Sequence, residues 1–272
     1  MNTLIVSTDF SASSRNALSY ACEWAQEGGY EMLLLHAYQL PMVYAEEGIA
    51  LMTMGDGIKD AESKMDDTAL WVKLHYPGVF MRNKVVIGDI IETLKEQIIS
   101  EHPACIILGT TGEFADVWAW DSVELNALTK LTVPVLAVPG HMPYSKMKRI
   151  CFACDYKHVN EHTPIDTIQM FLNFTHAELH VVHVSTPDEA TDTAQQAETK
   201  LRRMLEKLHP VFHTLHNSHV DEAIGHFVEE QHIDCLMVIP QKHGLWNSLF
   251  NRSHTKGLAK MNLLPVMALR ER

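Results

Sequence analysis

The sequence predicts an α/β protein in which one small fold is built twice along a single chain. Three observations lead there. Short apolar runs alternate with segments of helical periodicity, the pattern of a mostly parallel sheet with helices on both faces. That alternation repeats at a spacing near 140 residues, which is a domain duplication rather than a solenoid. In each copy a late apolar run breaks into a turn ahead of a helix start. An α/β domain builds an anion pocket at the end of a parallel strand in this way.

In the first copy, strand one is Thr3 to Ser7, and Asp9-Phe10-Ser11 opens a helix to about Gln26 that Gly28-Gly29 stops. Strand two is Met32 to Ala37. A long Met- and acid-containing loop, Gln39 to Gly57, leads into a helix from about Ile58 to Tyr76, ended by Pro77-Gly78. Strand three is Phe80 to Ile87, and Asp89 caps a helix to about Ser100. Strand four is Ala104 to Leu108, broken at Gly109-Thr110-Thr111-Gly112. A helix from Ser122 to Leu131 and strand five, Val133 to Val138, complete the copy.

The second copy repeats this order. Its strands are Arg149 to Ala153, Glu178 to Val184, Val211 to His216, Cys235 to Ile239 and Val266 to Leu269. Its helices fall near Thr163–Asn173, Asp188–His209, Asp221–Glu230 and His254–Lys260. Leu4 to Asp9 matches Ile150 to Asp155 at an offset of 146, and Leu33–Ala37 matches His180–Val184 at about 147. Pro139-Gly140 and Pro143 break the pattern between the copies, so the domains are read as 1–142 and 146–272.

Composition narrows the function classes. The 272 residues are 46% hydrophobic and 21% charged, as in a soluble globular protein. No apolar run is long enough to span a bilayer, and the N-terminus enters strand one without an export signal, so a cytoplasmic protein is expected. The cysteines at 22, 105, 151, 154 and 235 sit mostly in apolar runs and read as buried free thiols. Cys151-x-x-Cys154 falls on a strand, where residues three apart face opposite ways, which argues against a redox or metal pair. The net charge of −12 is uneven: residues 1–145 carry −11 and residues 146–272 carry −1. An acidic first half argues against a nucleic-acid surface.

The chain resembles a tandem universal stress protein. The matching residues are Asp9-Phe10-Ser11 after strand one, Leu34-Leu35-His36, Gly109-x-x-Gly112 and Val133-Pro134-Val135-Leu136. The second copy matches at Asp155, His183-Val184, His243-Gly244 with Ser253, and Leu264-Pro265-Val266-Met267. The resemblance implies an open five-stranded sheet of order 3-2-1-4-5 in each half. It also implies that the halves are related by a pseudo-twofold axis, so that one chain forms an intramolecular pseudo-dimer; a further homodimer is open. Many members of the family bind ATP, through Gly-x-x-Gly, nine residues, then Gly-Ser or Gly-Thr. The Asp after strand one is implied to contact the adenosine, and a backbone position at the end of strand two the base.

In the first half Asp9, Ala37, Gly109 and Gly112 match, but Ser122-Val123 stands where Gly-Ser is expected. The loop holds Glu113, Asp116, Asp121 and Glu124 with no Lys or Arg, and Asp121-x-x-Glu124 has the form of a capping box. A carboxylate there repels a phosphate by on the order of 1 kcal/mol or more when partly buried. Trp118 and Trp120 fill the rest of the loop and read as packing residues. The second half is reversed. Between Gln241 and Lys256 it holds Lys242, Arg252, Lys256, His243 and His254 with no acid, although Gln241 replaces the first glycine and the spacing is shorter. A nucleotide or phosphate site is therefore expected at Asp155, Val184, Gly244, Arg252 and Ser253. Asp9, Ala37, Gly109, Gly112 and Ser122 form its degenerate counterpart. A solvated basic loop is the alternative.

Of the 17 histidines, 13 lie after residue 146. His213, His216 and His219 lie at spacings that alternate faces of a strand, and His158 and His162 lie in a loop, so no metal is expected. His36 and His183 close equivalent strands and are read as structural. No nucleophile elbow, phosphate-loop lysine or supported carboxylate pair is present, so no catalytic residue is assigned. The resemblance implies at most slow ATP turnover. The function expected is a stress-response binding module that holds ATP or another adenine nucleotide weakly. The competing readings are a scaffold without nucleotide and an enzyme of the nucleotide-binding α/β class.

Overall fold

The computed structural model describes residues 3–39, 47–110, 122–156, 159–185, 191–240 and 264–271. The chain divides into two compact units, the first ending at Tyr144 and the second beginning, along the main chain, at Ser145.

The first unit has five strands: β1 Thr3–Ser7, β2 Glu31–Tyr38, β3 Met81–Ile87, β4 Cys105–Thr110 and β5 Val135–Pro139. Its helices are α1 Ala12–Gly28, α2 Glu47–His75, α3 Ile90–Glu101 and α4 Ser122–Lys130. The strands run parallel in the order β3-β2-β1-β4-β5. β1 is buried along nearly its whole length, as Leu4, Ile5 and Val6 have neighbours on both faces. The chain order reverses beside it, leaving a crevice beyond the carboxyl ends of β1 and β4.

Local chemistry sets the helix ends. Ser11 caps α1 by accepting from the Ser14 amide at 3.2 Å. Gly29, at φ 66°, ends it in the left-handed conformation that glycine adopts without strain. Asp89 caps α3 through the amides of Ile91 and Glu92. The segment after β5 is strapped to α1: the Asn16 amide donates to the carbonyls of Pro139 and Met142, each at 2.8 Å. The Tyr144 ring meets Tyr20 edge-on, and its hydroxyl donates to Glu27 at 3.0 Å. Burial, then Glu27, holds that phenol well above its usual range, so it stays a donor.

Two expectations are corrected. β4 does not break at Gly109; Gly109 and Thr110 still pair with Val138 and Pro139 of β5. The helix expected from Ile58 begins at Glu47, so much of the stretch read as a loop to Gly57 is helical. The glycines there suggested a break. Gly57 serves another end, since a Cβ at that position would run into the Tyr38 hydroxyl. A side chain at that point would make the Tyr38 ring turn aside.

The second unit repeats the design. Its strands are β6 Arg149–Ala153, β7 Glu178–Ser185, β8 Val211–His216, β9 Cys235–Val238 and β10 Val266–Ala268. Its helices are α5 Ile165–Thr175, α6 Thr191–Leu205 and α7 Val220–Glu230. The strands run parallel in the order β10-β9-β6-β7-β8, which is the order of the first unit in its own numbering. The helix expected at His254–Lys260 lies outside the described residues. Histidines have a structural use in both units: His102 closes α3 of the first, His176 closes α5 of the second and His209 ends the 3-10 turn Glu206–Leu208 after α6, all in the left-handed conformation, which His232 adopts just after α7. Histidine tolerates that region better than most residues and suits the negative end of a helix.

Candidate functional site

In each unit the first strand delivers an aspartate to the crevice end of the sheet, and a histidine from the second strand fixes the backbone there. In the first unit the Thr8 amide donates to the Leu35 carbonyl at 2.9 Å, and His36 Nδ1 returns a bond to the Thr8 carbonyl at 2.7 Å. In the second, the Cys154 amide donates to Val182 at 2.9 Å, and His183 Nδ1 to the Cys154 carbonyl at 3.1 Å. A carbonyl can only accept, so both rings carry their proton on Nδ1. This is the structural role expected for the two histidines.

An aromatic residue follows each aspartate and covers its histidine. Phe10 lies on His36 with ring centroids 4.5 Å apart, and Tyr156 stacks on His183 at 3.9 Å. Phe10 has φ 66°, a left-handed conformation that costs an L-residue about 1–2 kcal/mol. The tilted ring contact with His36 and the bond from its amide to Thr8 Oγ1 at 3.0 Å hold it there. Sequence reasoning passed over both aromatics. The repeat offset of 146 that pairs Asp9 with Asp155 also pairs Phe10 with Tyr156, and that is the signal by which they can be found.

Asp9 is exposed, and its carboxylate accepts from the Ser11 amide at 2.9 Å. Desolvation by the surrounding chain opposes ionisation, but bonds from Ser11 and Ser14 outweigh it and hold the carboxyl below its usual value. Asp155 is half-buried, and Val184 is buried near the end of β7. Ala37 sits near the end of β2, opposite Val86 of β3.

Gly109 has a packing role of its own. A Cβ there would lie 2.4 Å from the Ser13 carbonyl carbon and 2.7 Å from the Ser14 amide, so only glycine lets α1 lie this close to β4. Ser122 begins α4. Gly112, Gly244, Arg252 and Ser253 lie outside the described residues, as do Trp118, Trp120, Asp121 and the basic loop 241–256. The structure thus brings Asp9 and Ala37, and likewise Asp155 and Val184, to strand ends beside a switch point.

The remaining chemistry is quiet. All five cysteines are buried and free. Burial pushes the Cys22 and Cys105 thiols up to about 12 and those of Cys151 and Cys154 higher still, so none of these four is a thiolate near neutral pH. Among the described residues, no group of three or more His, Cys, Asp or Glu is placed to hold a metal ion. No helix of the described residues is long and apolar enough to cross a membrane.

These features define the class: open parallel α/β sheets, each with an aspartate just after its first strand at the switch point. The universal stress protein family model matches residues 1–139, and the chain belongs to that family. Among solved structures it is similar to a universal stress protein from Archaeoglobus fulgidus, at 16% identity and a TM-score of 0.70, covering 99% of this chain and 96% of that one. It is also similar to a protein of Pseudomonas aeruginosa described as a candidate universal stress protein, at 12% identity and a TM-score of 0.61, covering 100% of this chain and 94% of that one. At such identities the likeness shows the fold. No curated protein matches the chain.

Proposed function

We propose that the chain is a cytoplasmic stress-response binding module of two domains, 1–142 and 146–272, whose second domain holds an adenine nucleotide or a similar anion weakly. The observation that carries this reading is the paired placement of Asp9 and Asp155 after the central strands, each beside the point where strand order reverses. Open α/β sheets take ligands there. The choice between halves rests on charge. The stretch from Gln241 to Lys256 has three Lys or Arg and no acid, whereas Glu113 to Glu124 has four acids and no base. The contacts proposed are Asp155, Val184, Gly244, Arg252 and Ser253, with Arg252 supplying the positive charge an anion needs.

A scaffold that binds partners without nucleotide is the second reading. It draws on Gly109, whose glycine is required by the Ser13 backbone whether or not a phosphate is near. Melting the full chain with and without ATP separates the two. A rise in Tm that grows with ATP concentration is expected of the binding module. An unchanged Tm at millimolar ATP favours the scaffold.

A further inference from the structure

The second unit contains a histidine pair that the proposed anion site does not use. His180 of β7 and His213 of β8 lie diagonally across neighbouring strands, with Val182 directly opposite His213. Their rings are nearly parallel, 9° apart, and His180 Nδ1 is 3.0 Å from His213 Nε2. Phe227 of α7 covers both rings, at 4.7 Å from His213 and 6.2 Å from His180. His180 is buried at 4% exposure, and its Nε2 makes no hydrogen bond but lies 3.5 Å from the Glu178 carboxylate.

Proton counting follows from this geometry. In the neutral pair one imidazole donates and the other accepts. One added proton fits, because His180 Nε2–H then faces Glu178, which Arg149 also flanks at 3.9 Å. A second proton does not fit. It sets two N–H donors head to head and places two like charges under an aromatic ring. The other charges near the pair give little relief. Arg149 of β6 donates to the Gln231 carbonyl just after α7. On α7 itself Glu222, His226, Glu229 and Glu230 are exposed, with His226 paired to Glu230, and Asp221 is buried in the first turn. The equivalent place in the first unit has no imidazole: Leu33 and Lys84 stand there, and Lys84 donates to Gln97 of α3 at 3.2 Å.

We propose that His180 and His213 form an acid-sensitive latch that fastens β8 and α7 to the second unit near neutral pH and releases them on acidification. β8 is the outer strand of that unit's own run, and β7 is its strand partner. Doubly protonating the pair drives the two rings apart and so removes the side-chain fastening between β7 and β8. Burial, and then His180, lowers the His213 basicity, in keeping with His213 being the ring that resists the second proton.

Amide hydrogen exchange on the full chain tests this at about pH 7.5 and about pH 5, corrected for the intrinsic pH dependence of exchange. Opening of residues 211–216 is expected to rise by about tenfold or more at the lower pH, with β3 of the first unit changing far less. In His213→Gln, which can still bond His180 but cannot charge, the acid response is lost. Equal opening of β8 at both pH values overturns the proposal, and so does a full acid response in His213→Gln. Should the variant not fold, NMR titration of the two imidazoles in the natural chain decides. A single proton taken up first supports the latch, and two independent titrations near 6.5 contradict it.

Discussion

Tyr156 lies flat on His183, with the ring planes 13° apart, and His183 ties that stack to the Cys154 carbonyl. Phe10, His36 and Thr8 repeat the arrangement at nearly the same offset along the chain. The two units thus share more than strand order. Each holds its strand-one aspartate between a histidine-bound carbonyl and an aromatic residue.

His183 is nearly fully buried, so removing it should cost stability rather than only function. His183→Ala loses a hydrogen bond, strands the Cys154 carbonyl and opens a cavity, for a combined cost of about 2–4 kcal/mol. Urea denaturation followed by far-UV circular dichroism checks this, with the loss confined to the transition of the second unit.

Gly109→Ala forces a methyl group onto the backbone of Ser13 and Ser14. It should destabilise the first unit by about 1–3 kcal/mol or more, as overpacking does. Thermal unfolding reads the change. An unaltered Tm would show that α1 shifts freely and that the glycine is needed for something other than packing.

The alternation of strands and helices, the helix opening at Asp9-Phe10-Ser11 and the Asp89 cap were legible because period, capping chemistry and breakers all act locally, whereas the strand order came from the family resemblance. The start of α2 was not, because Gly55 and Gly57 read as breakers until Tyr38 is seen lying against the helix. The end of β4 was hidden for a similar reason. Gly109 belongs to a strand whose neighbour is a helix 95 residues earlier in the chain, and no local pattern shows that contact. The His180–His213 pair was also out of reach, since it depends on the register of β7 against β8. The site aspartates were found through the repeat itself; the same offset pairs Phe10 with Tyr156, and the ring geometry shows that each covers its histidine.

Asp9 gives a pH prediction with a definite sign. Its folded carboxyl lies below the usual 3.8, so its contribution to stability is present above that value and is lost as pH falls through the folded one. Ser11→Ala removes the Ser11 side-chain bond that favours the carboxylate but keeps the backbone amide bond, so it should bring the Asp9 titration, followed by carboxyl carbon NMR, part of the way back toward 3.8. It also removes the α1 cap, at about 1 kcal/mol.

The five thiols are expected to react only when the chain unfolds. An exposed-thiol assay on the native protein near neutral pH should find almost none, and the same assay in denaturant should find all five. Rapid native reaction at Cys151 or Cys154 would show that the buried strand end opens.

The central claim is that two copies of one fold have diverged in charge, so that an anion is accepted by the second. Calorimetric titration of ATP into the natural chain, Arg252→Glu and Asp121→Lys tests it most directly. The account predicts that Arg252→Glu abolishes the binding heat while Asp121→Lys leaves it nearly unchanged. Affinity that responds to Asp121→Lys alone would place the ligand in the first unit and contradict the account.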